Sequence, residues 1–351
     1  MSLKTRVSLC TIANNEEALL GGALVSVRSA LGLEDMIVVD TGSSDRTAEI
    51  ALEHGARVFD FKWRDDFSAA RNFAAEKASN DWIFVLDADE EVTEADVGKL
   101  ESFIKDANVV GKIAMIEMSD NERHMISRLY NRKNYMFEGK IHEQIVPAGS
   151  SAMQKKEAPI LTIHRGYIKD IMQAKGKLER NERMLLKELE SHPDDPYLLF
   201  QLGKNFFIGE GNLSQACDYF EKALSTGADP QYEYIYKAVE CYGYALVNTG
   251  QYEKALELIN KYSEHYMANP QFRFLSAHVM QNNGLFVEAV ECYESCIGAD
   301  IADYRGITSY LSYYNIGVIL ECVGMAADAV SMYENCGDYE PALKRLGELR
   351  K

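Results

Sequence analysis

In the first half of the chain, short apolar runs alternate with amphipathic stretches. Val7 to Ile12, Met36 to Asp40, Arg57 to Phe61 and Trp82 to Asp87 have strand length and are rich in β-branched and aromatic residues. Between them, Glu16 to Ala30, Asp45 to His54 and Phe67 to Ala78 carry helix-like spacing. Strand runs separated by segments of helical length predict βαβ units and a mainly parallel sheet. Ligands on such sheets bind beyond the carboxyl ends of the strands. Thr11, Asp40 and Asp87 fall there.

The second half has no strand alternation and instead repeats itself. Small residues recur at Gly203, Gly243, Ala277 and Gly317, at intervals of 40, 34 and 40. Each is followed by a turn and a second helix with a small, a large and a second large or small residue: Ala216, Phe220, Ala223; Ala255, Ile259, Tyr262; Ala289, Tyr293, Cys296; and Ala329, Tyr333, Cys336. Small residues let helices approach, and large ones fill the gap between neighbouring hairpins. The interval predicts a helical solenoid, and the pattern resembles tetratricopeptide repeats, most clearly from Gly243 to Tyr262. Tyr339 to Leu349 reads as a capping helix. Tyr167 to Leu189 reads as a long helix ending before His192-Pro193, because proline disfavours helix in the residue preceding it. The domains expected are 1–165 (α/β), 166–192 (linker helix) and 193–351 (helical repeats with a cap).

Composition changes the picture in two places. Of 20 tyrosines in 351 residues, only Tyr130 and Tyr135 precede residue 166, which marks the same division. The net charge of -17 disfavours duplex nucleic acid and anionic membranes as partners. Without an apolar run of about 20 residues or a secretory leader, the expectation is a soluble, cytoplasmic protein with no transmembrane segment. Seven scattered cysteines suit a reducing compartment; Cys292 and Cys296 read as helix core.

Trp82-Ile83-Phe84-Val85-Leu86-Asp87-Ala88-Asp89 is a buried strand that delivers two carboxylates at its end. Hard oxygen ligands of this kind suit Mg²⁺ or Mn²⁺, which can bridge a diphosphate and stabilise the charge that develops as it leaves. A solvated strand end is the plain alternative. No GxxxxGK[ST], GxGxxG or GxSxG element is present, so kinase, dehydrogenase and serine-hydrolase readings lack their cradle or nucleophile.

Further motifs accompany the Asp-x-Asp: Ser8-Leu9-Cys10-Thr11-Ile12 with Asn14-Asn15-Glu16-Glu17, Val38-Val39-Asp40-Thr41-Gly42-Ser43-Ser44-Asp45, Asp65-Asp66-Phe67-Ser68-Ala69-Ala70-Arg71-Asn72, and Leu86-Asp87-Ala88-Asp89-Glu90. Downstream stand Phe137-Glu138-Gly139-Lys140-Ile141-His142-Glu143-Gln144 and Ile163-His164-Arg165-Gly166-Tyr167. Together they resemble glycosyltransferase family 2, especially its bacterial members with C-terminal tetratricopeptide repeats.

The resemblance implies a GT-A, Rossmann-like fold and a metal-dependent, inverting transfer from a UDP-sugar. It implies that Thr11, Glu17 and Asp40 hold the uridine and that Arg71 lies near the diphosphate or ribose. Asp87 then faces the ribose and sugar, Asp89 binds the divalent cation directly, and His164 is a further protein contact to it. Plainer readings stand beside these. Asp40, Ser43 and Asp45 could be turn and cap residues, Arg71 could pair with Asp65 or Asp66, and His164 could be a core histidine. An inverting transfer also needs a base on the acceptor side; Glu143 is the candidate and His142 the second.

Only about 75 residues separate Asp89 from the expected boundary, which is short for acceptor binding. The repeats are therefore expected to recruit a peptide or protein acceptor, with some tyrosines lining their concave face. Self-association through the repeats is a further expectation. Two alternatives remain: transfer to a polysaccharide or lipid-linked glycan, and a non-catalytic repeat scaffold carrying a relic domain.

Overall fold

The computed structural model describes residues 6–118, 123–149, 153–165, 171–209, 212–299 and 306–350. The chain falls into two compact units, Met1–Lys177 and Leu178–Lys351. The border expected at residues 165 and 166 abuts residues 166–170, which lie outside the described set.

The first unit begins with β1 (Val7–Ala13), α1 (Leu20–Leu31), β2 (Met36–Asp40), α2 (Thr47–Glu53), β3 (Arg57–Asp60), α3 (Phe67–Lys77) and β4 (Trp82–Val85). β1, β2 and β4 are almost wholly buried, as expected of unbroken apolar strands covered on both faces. α1 buries Leu20, Ala23, Leu24, Val27 and Leu31 in one stripe and stops at Gly32, whose φ of 64° returns its N–H to Arg28. α3 starts at Asp66, whose side chain accepts from the Ala69 amide.

β5 (Glu90–Ala95), α4 (Val97–Phe103), β6 (Val109–Glu117), β7 (Arg123–Asn131), β8 (Tyr135–Glu138), β9 (Gln144–Pro147) and β10 (Gln154–His164) complete the unit. Eight strands form one sheet in the order β3-β2-β1-β4-β7-β6-β10-β5, and β8 pairs with β9 separately. β1 to β4 are parallel, as expected. The rest of the sheet is mixed: β7 runs antiparallel to β4 and β6, while β10 is parallel to β6 and antiparallel to β5.

Residues of α1, α2 and α4 pack in the core on one face of the sheet, and Ala74 and Ala75 of α3 pack on the other. The strand order therefore reverses between β1 and β4. In an open α/β sheet this is the point where a crevice opens beyond the strand ends.

α5 (Ile171–Leu189) runs across the division between the units; the predicted start of this helix at Tyr167 lies outside the described residues. The second unit continues with hairpins α6 (Pro196–Ile208) and α7 (Leu213–Ser225), α8 (Glu233–Asn248) and α9 (Tyr252–Tyr266), α10 (Pro270–Asn282) and α11 (Phe286–Glu294), α12 (Tyr310–Cys322) and α13 (Ala326–Glu334). The final helix, α14 (Glu340–Leu349), buries Ala342 and Leu346 with Ala329 and Tyr333 of α13, which is what a cap does.

The glycines among the small first-helix residues have a direct physical cause. A Cβ on Gly203 would lie 2.7 Å from the Phe220 ring, one on Gly243 2.9 Å from Leu275, and one on Gly317 2.6 Å from Tyr333. All twelve residues of the repeated second-helix sets are buried. The tyrosines mostly pack between helices: among those described in this unit only Tyr232 and Tyr252 are exposed. Cys296 is fully buried and Cys292 packs beside it in the same core, as the helix-core reading expects.

Candidate active site

The loops after β1 and β2 are laced together. Asn15 N–H donates to Ser43 Oγ (3.0 Å), Ser44 N–H to Asn15 Oδ1 (2.8 Å), Glu16 N–H to Thr47 Oγ1 (2.7 Å) and Glu17 N–H to Asp45 Oδ2 (3.2 Å). Glu17 returns a contact by accepting from the Arg46 amide at 3.0 Å, at the start of α2. Asp40 closes its own turn, with Oδ1 accepting from the Gly42 and Ser43 amides and the Ser43 hydroxyl. These motif residues thus close turns and tie the two loops together. Thr11 faces inward on β1 at 1% exposure, and its Oγ1 is a buried polar atom without a partner.

Beyond β4, the turn from Asp87 to Glu90 is held by the Asp87 amide, which donates to Glu90 Oε2 at 3.1 Å. Two buried guanidinium groups grip Asp87. Arg71 Nη2 lies 3.0 Å from Oδ1, and Arg128 Nη2 lies 2.7 Å from Oδ2 and equally 2.7 Å from Glu90 Oε1. Burial alone would raise the Asp87 pKa, but Arg128 and Arg71 outweigh it and hold the carboxyl well below its usual range. Glu90 goes the other way: its burial outweighs Arg128, and its pKa is raised.

Arg71 continues the chain of charges. Its Nε donates to Glu143 Oε1 at 2.5 Å, its Cζ sits 5.5 Å from the centre of the Phe137 ring, and its Nη1 is buried without a partner. The expected alternative, an ion pair with Asp65 or Asp66, is not what forms. Asp66 is instead the α3 cap, and Asp65 Oδ1 accepts from Trp63 Nε1.

Next to Arg71, Asn72 exchanges two hydrogen bonds with the Phe137 backbone, and Phe67 N–H donates to the Lys140 carbonyl. The start of α3 therefore carries the segment that ends in His142 and Glu143. His142 sits at φ 53°, and with Asn15 (56°) and Asp65 (55°) it is one of three non-glycine left-handed residues among those described. All three lie within these motifs, where strain of about 1–3 kcal/mol each is sustained by the surrounding hydrogen bonds.

The second carboxylate of the Asp-x-Asp faces a different partner. Asp89 Oδ2 lies 3.1 Å from His164 Nε2, and the other ring nitrogen, Nδ1, lies 2.9 Å from both oxygens of Glu117. The hydrogen bond to Asp89 is the largest influence on the imidazole and, with Glu117, raises its pKa to about 9 against the opposing effect of burial. Burial would raise the Asp89 pKa, and His164 outweighs it. The Arg165 amide also donates to the Asp89 carbonyl at 2.8 Å, tying the end of β10 to the Asp-x-Asp turn.

The structure thus joins Asp87, Arg71 and Glu143 in one network and Asp89 with His164 in another beside it. Thr11, Glu17 and Asp40 lie on or beyond β1 and β2, on the other side of the reversal point. Sequence reasoning missed three members. Glu90 was in view as the end of a motif but had no role. Arg128 is a charged residue placed directly before the apolar pair Leu129-Tyr130 within a strand, a pattern that hints at a buried, paired charge. Glu117 belongs to no motif, and only strand register brings it to His164.

No group of three or more His, Cys, Asp or Glu side chains among the described residues is arranged to hold a metal by itself. No helix among them is long and apolar enough to cross a membrane.

Residues 8–158 match the Glycosyl transferase family 2 domain. The chain is 36% identical over 247 residues to a TPR repeat-containing protein of Synechococcus elongatus, covering 66% of this chain and 60% of that one. It is 28% identical over 225 residues to the SPbeta prophage-derived glycosyltransferase SunS of Bacillus subtilis, covering 61% and 52%. The chain therefore spans about half to three fifths of the length of these relatives. Among solved structures, S. aureus TarS 1-349 aligns over 80% of this chain and 92% of that one, at 12% identity and a TM-score of 0.41. The family match covers both strands that flank the reversal point and every motif through Glu143, so the chain carries a glycosyltransferase family 2 domain at its N-terminus, followed by a C-terminal array of helical hairpins.

Proposed function

We propose that the protein transfers a sugar, with inversion, from a UDP-sugar to an acceptor, with the help of a divalent cation, Mn²⁺ or Mg²⁺, held by Asp89 and His164. The observation that carries this reading is the 3.1 Å spacing of Asp89 Oδ2 and His164 Nε2 beside the Asp87 network. The two atoms are close enough for Asp89 and His164 to be the residues that would hold one divalent cation. When bound, the ion would offset the charge that develops on the departing diphosphate.

The chain's own residues take the remaining roles. Thr11, Glu17 and Asp40 contact the uridine; the unpartnered Thr11 hydroxyl supports a contact there. Arg71 presents its unpartnered Nη1 to the diphosphate or ribose, and Asp87, held ionised between two guanidinia, accepts from ribose or sugar hydroxyls. Glu143 serves as base toward the acceptor, with His142 second. The acceptor is a peptide or protein segment recruited by the hairpin array.

Calorimetric titration of UDP and then a panel of UDP-sugars, with and without Mn²⁺, on wild type and Asp89→Ala tests the donor half. Metal-dependent binding lost in the variant is expected; binding indifferent to both metal and substitution would overturn the mechanism. Removing the residues after His192 tests the acceptor half: donor binding should persist and transfer to peptide should disappear.

A further inference from the structure

We infer that Glu117 is the positioning residue that makes His164 a metal ligand. The inference rests on the proposed cation site at Asp89 and His164 and adds to it a partner on the far side of the ring. A neutral imidazole can offer one nitrogen to a cation only while the other carries the proton, and the group that accepts that proton's hydrogen bond decides which nitrogen is which.

Three observations place Glu117 in that role. Parallel pairing of β6 and β10 sets His164 directly opposite Glu117, so the contact is fixed by strand register and not by a mobile loop. Both carboxylate oxygens stand 2.9 Å from Nδ1, which leaves Nε2 as the nitrogen aimed at Asp89. The Met118 amide also donates to the His164 carbonyl, and the Arg165 amide to the Asp89 carbonyl, so the backbones bearing Glu117, His164 and Asp89 are joined on both sides of the ring. Glu117 cannot itself serve the same ion, because it binds the opposite edge of the imidazole. Its task is to fix the tautomer and rotation of the ring so that Nε2 keeps a lone pair toward Asp89.

The test is binding of Mn²⁺ alone to the full chain, followed by electron paramagnetic resonance, for wild type, Glu117→Ala, Glu117→Gln and His164→Ala. Glu117→Ala should weaken binding roughly 10- to 100-fold, the usual cost of losing an outer partner of a metal-bound histidine. Glu117→Gln, whose amide oxygen still accepts from Nδ1–H, should remain within about threefold of wild type. A purely structural role would lower the melting temperature of Glu117→Ala and leave Mn²⁺ affinity alone, and that result overturns the inference. Equal losses in the Ala and Gln variants overturn it too.

Should Glu117→Ala fail to fold, nitrogen-15 spectra of wild type saturated with Mg²⁺ decide the matter. Protonated Nδ1 with ligated Nε2 supports the inference, and the reverse tautomer overturns it. Wild type that does not bind Mn²⁺, or His164→Ala that binds it as well as wild type, brings down the cation site together with the role of Glu117. Glu117→Ala binding like a wild type that His164→Ala does not match brings down the role of Glu117 alone.

Discussion

Arg71 and Glu143, 72 positions apart in the chain, meet through a 2.5 Å hydrogen bond from Nε to Oε1, with both side chains nearly closed to solvent. The same guanidinium holds Asp87. Arg71→Ala would therefore strip Glu143 of this guanidinium and leave Asp87 to Arg128 alone. Removing one partner of a buried ionic network costs about 3–5 kcal/mol. Urea unfolding of Arg71→Ala should show a loss of that order, with Arg71→Lys intermediate; a loss below about 1 kcal/mol would contradict the geometry.

Glu143→Gln separates holding from proton transfer. The glutamine oxygen can still accept from Arg71, so UDP affinity should stay within about threefold of wild type. Turnover should fall by about 100-fold or more, the low end of what a positioned general base contributes. Unchanged turnover assigns the base to another residue.

Arg128 is the second support of Asp87 and the main offset to the burial of Glu90. Arg128→Met should destabilise the protein by about 3–5 kcal/mol, because it leaves Glu90, 2% exposed, as an uncompensated charge. Adding Glu90→Gln should recover part of the loss. The coupling is read from a double-mutant cycle in chemical denaturation, and strict additivity would show that the two residues do not interact.

His164 gives the metal-free protein a defined pH dependence. Its folded pKa of about 9 lies above the unfolded value of about 6.5. The native state therefore holds a proton that the unfolded chain releases between these values. This contribution is complete below pH about 6.5 and is lost as the pH rises through 9. Wild type should lose on the order of 2 kcal/mol more than His164→Gln over that range, by urea midpoints without metal. Mn²⁺ binding, which needs the neutral ring, should strengthen over the same interval.

Gly203→Ala tests the packing of the first hairpin. The added methyl would stand 2.7 Å from the buried Phe220 ring. Overpacking of this kind costs about 1–3 kcal/mol, although alanine by itself favours helix. A stabilised variant would mean that the ring can withdraw.

Much of this molecule was legible in its sequence wherever a residue's role depends on its neighbours along the chain. The strand runs Met36 to Asp40 and Trp82 to Val85 announce themselves by unbroken apolarity, and Gly203, Gly243 and Gly317 by the large side chains that cross them. The roles of Arg128 and Glu117 were not legible, because they are set by β7 lying beside β4 and β6 lying beside β10, pairings between segments far apart in sequence. β5 to β10 escaped division for a related reason: these strands lack unbroken apolar runs, and polar residues such as Lys112, Arg128 and Glu157 interrupt them. Asp40 reads both as a ligand candidate and as a turn residue, and its side chain does close a turn, whereas the bond that Glu17 accepts from the Arg46 amide was not legible.

The tie between the Arg165 amide and the Asp89 carbonyl has a consequence for how the protein is made. Ribosomal synthesis delivers β1 to β4, Asp87 and Asp89 first, while His164 arrives at the end of the sheet's last strand. A nascent chain can therefore close its parallel half, with Arg71 already available to Asp87, well before Asp89 and His164 can meet. The Asp89–His164 contact is thus a mark of completion: only a chain that has inserted β10 between β5 and β6 brings these two residues together.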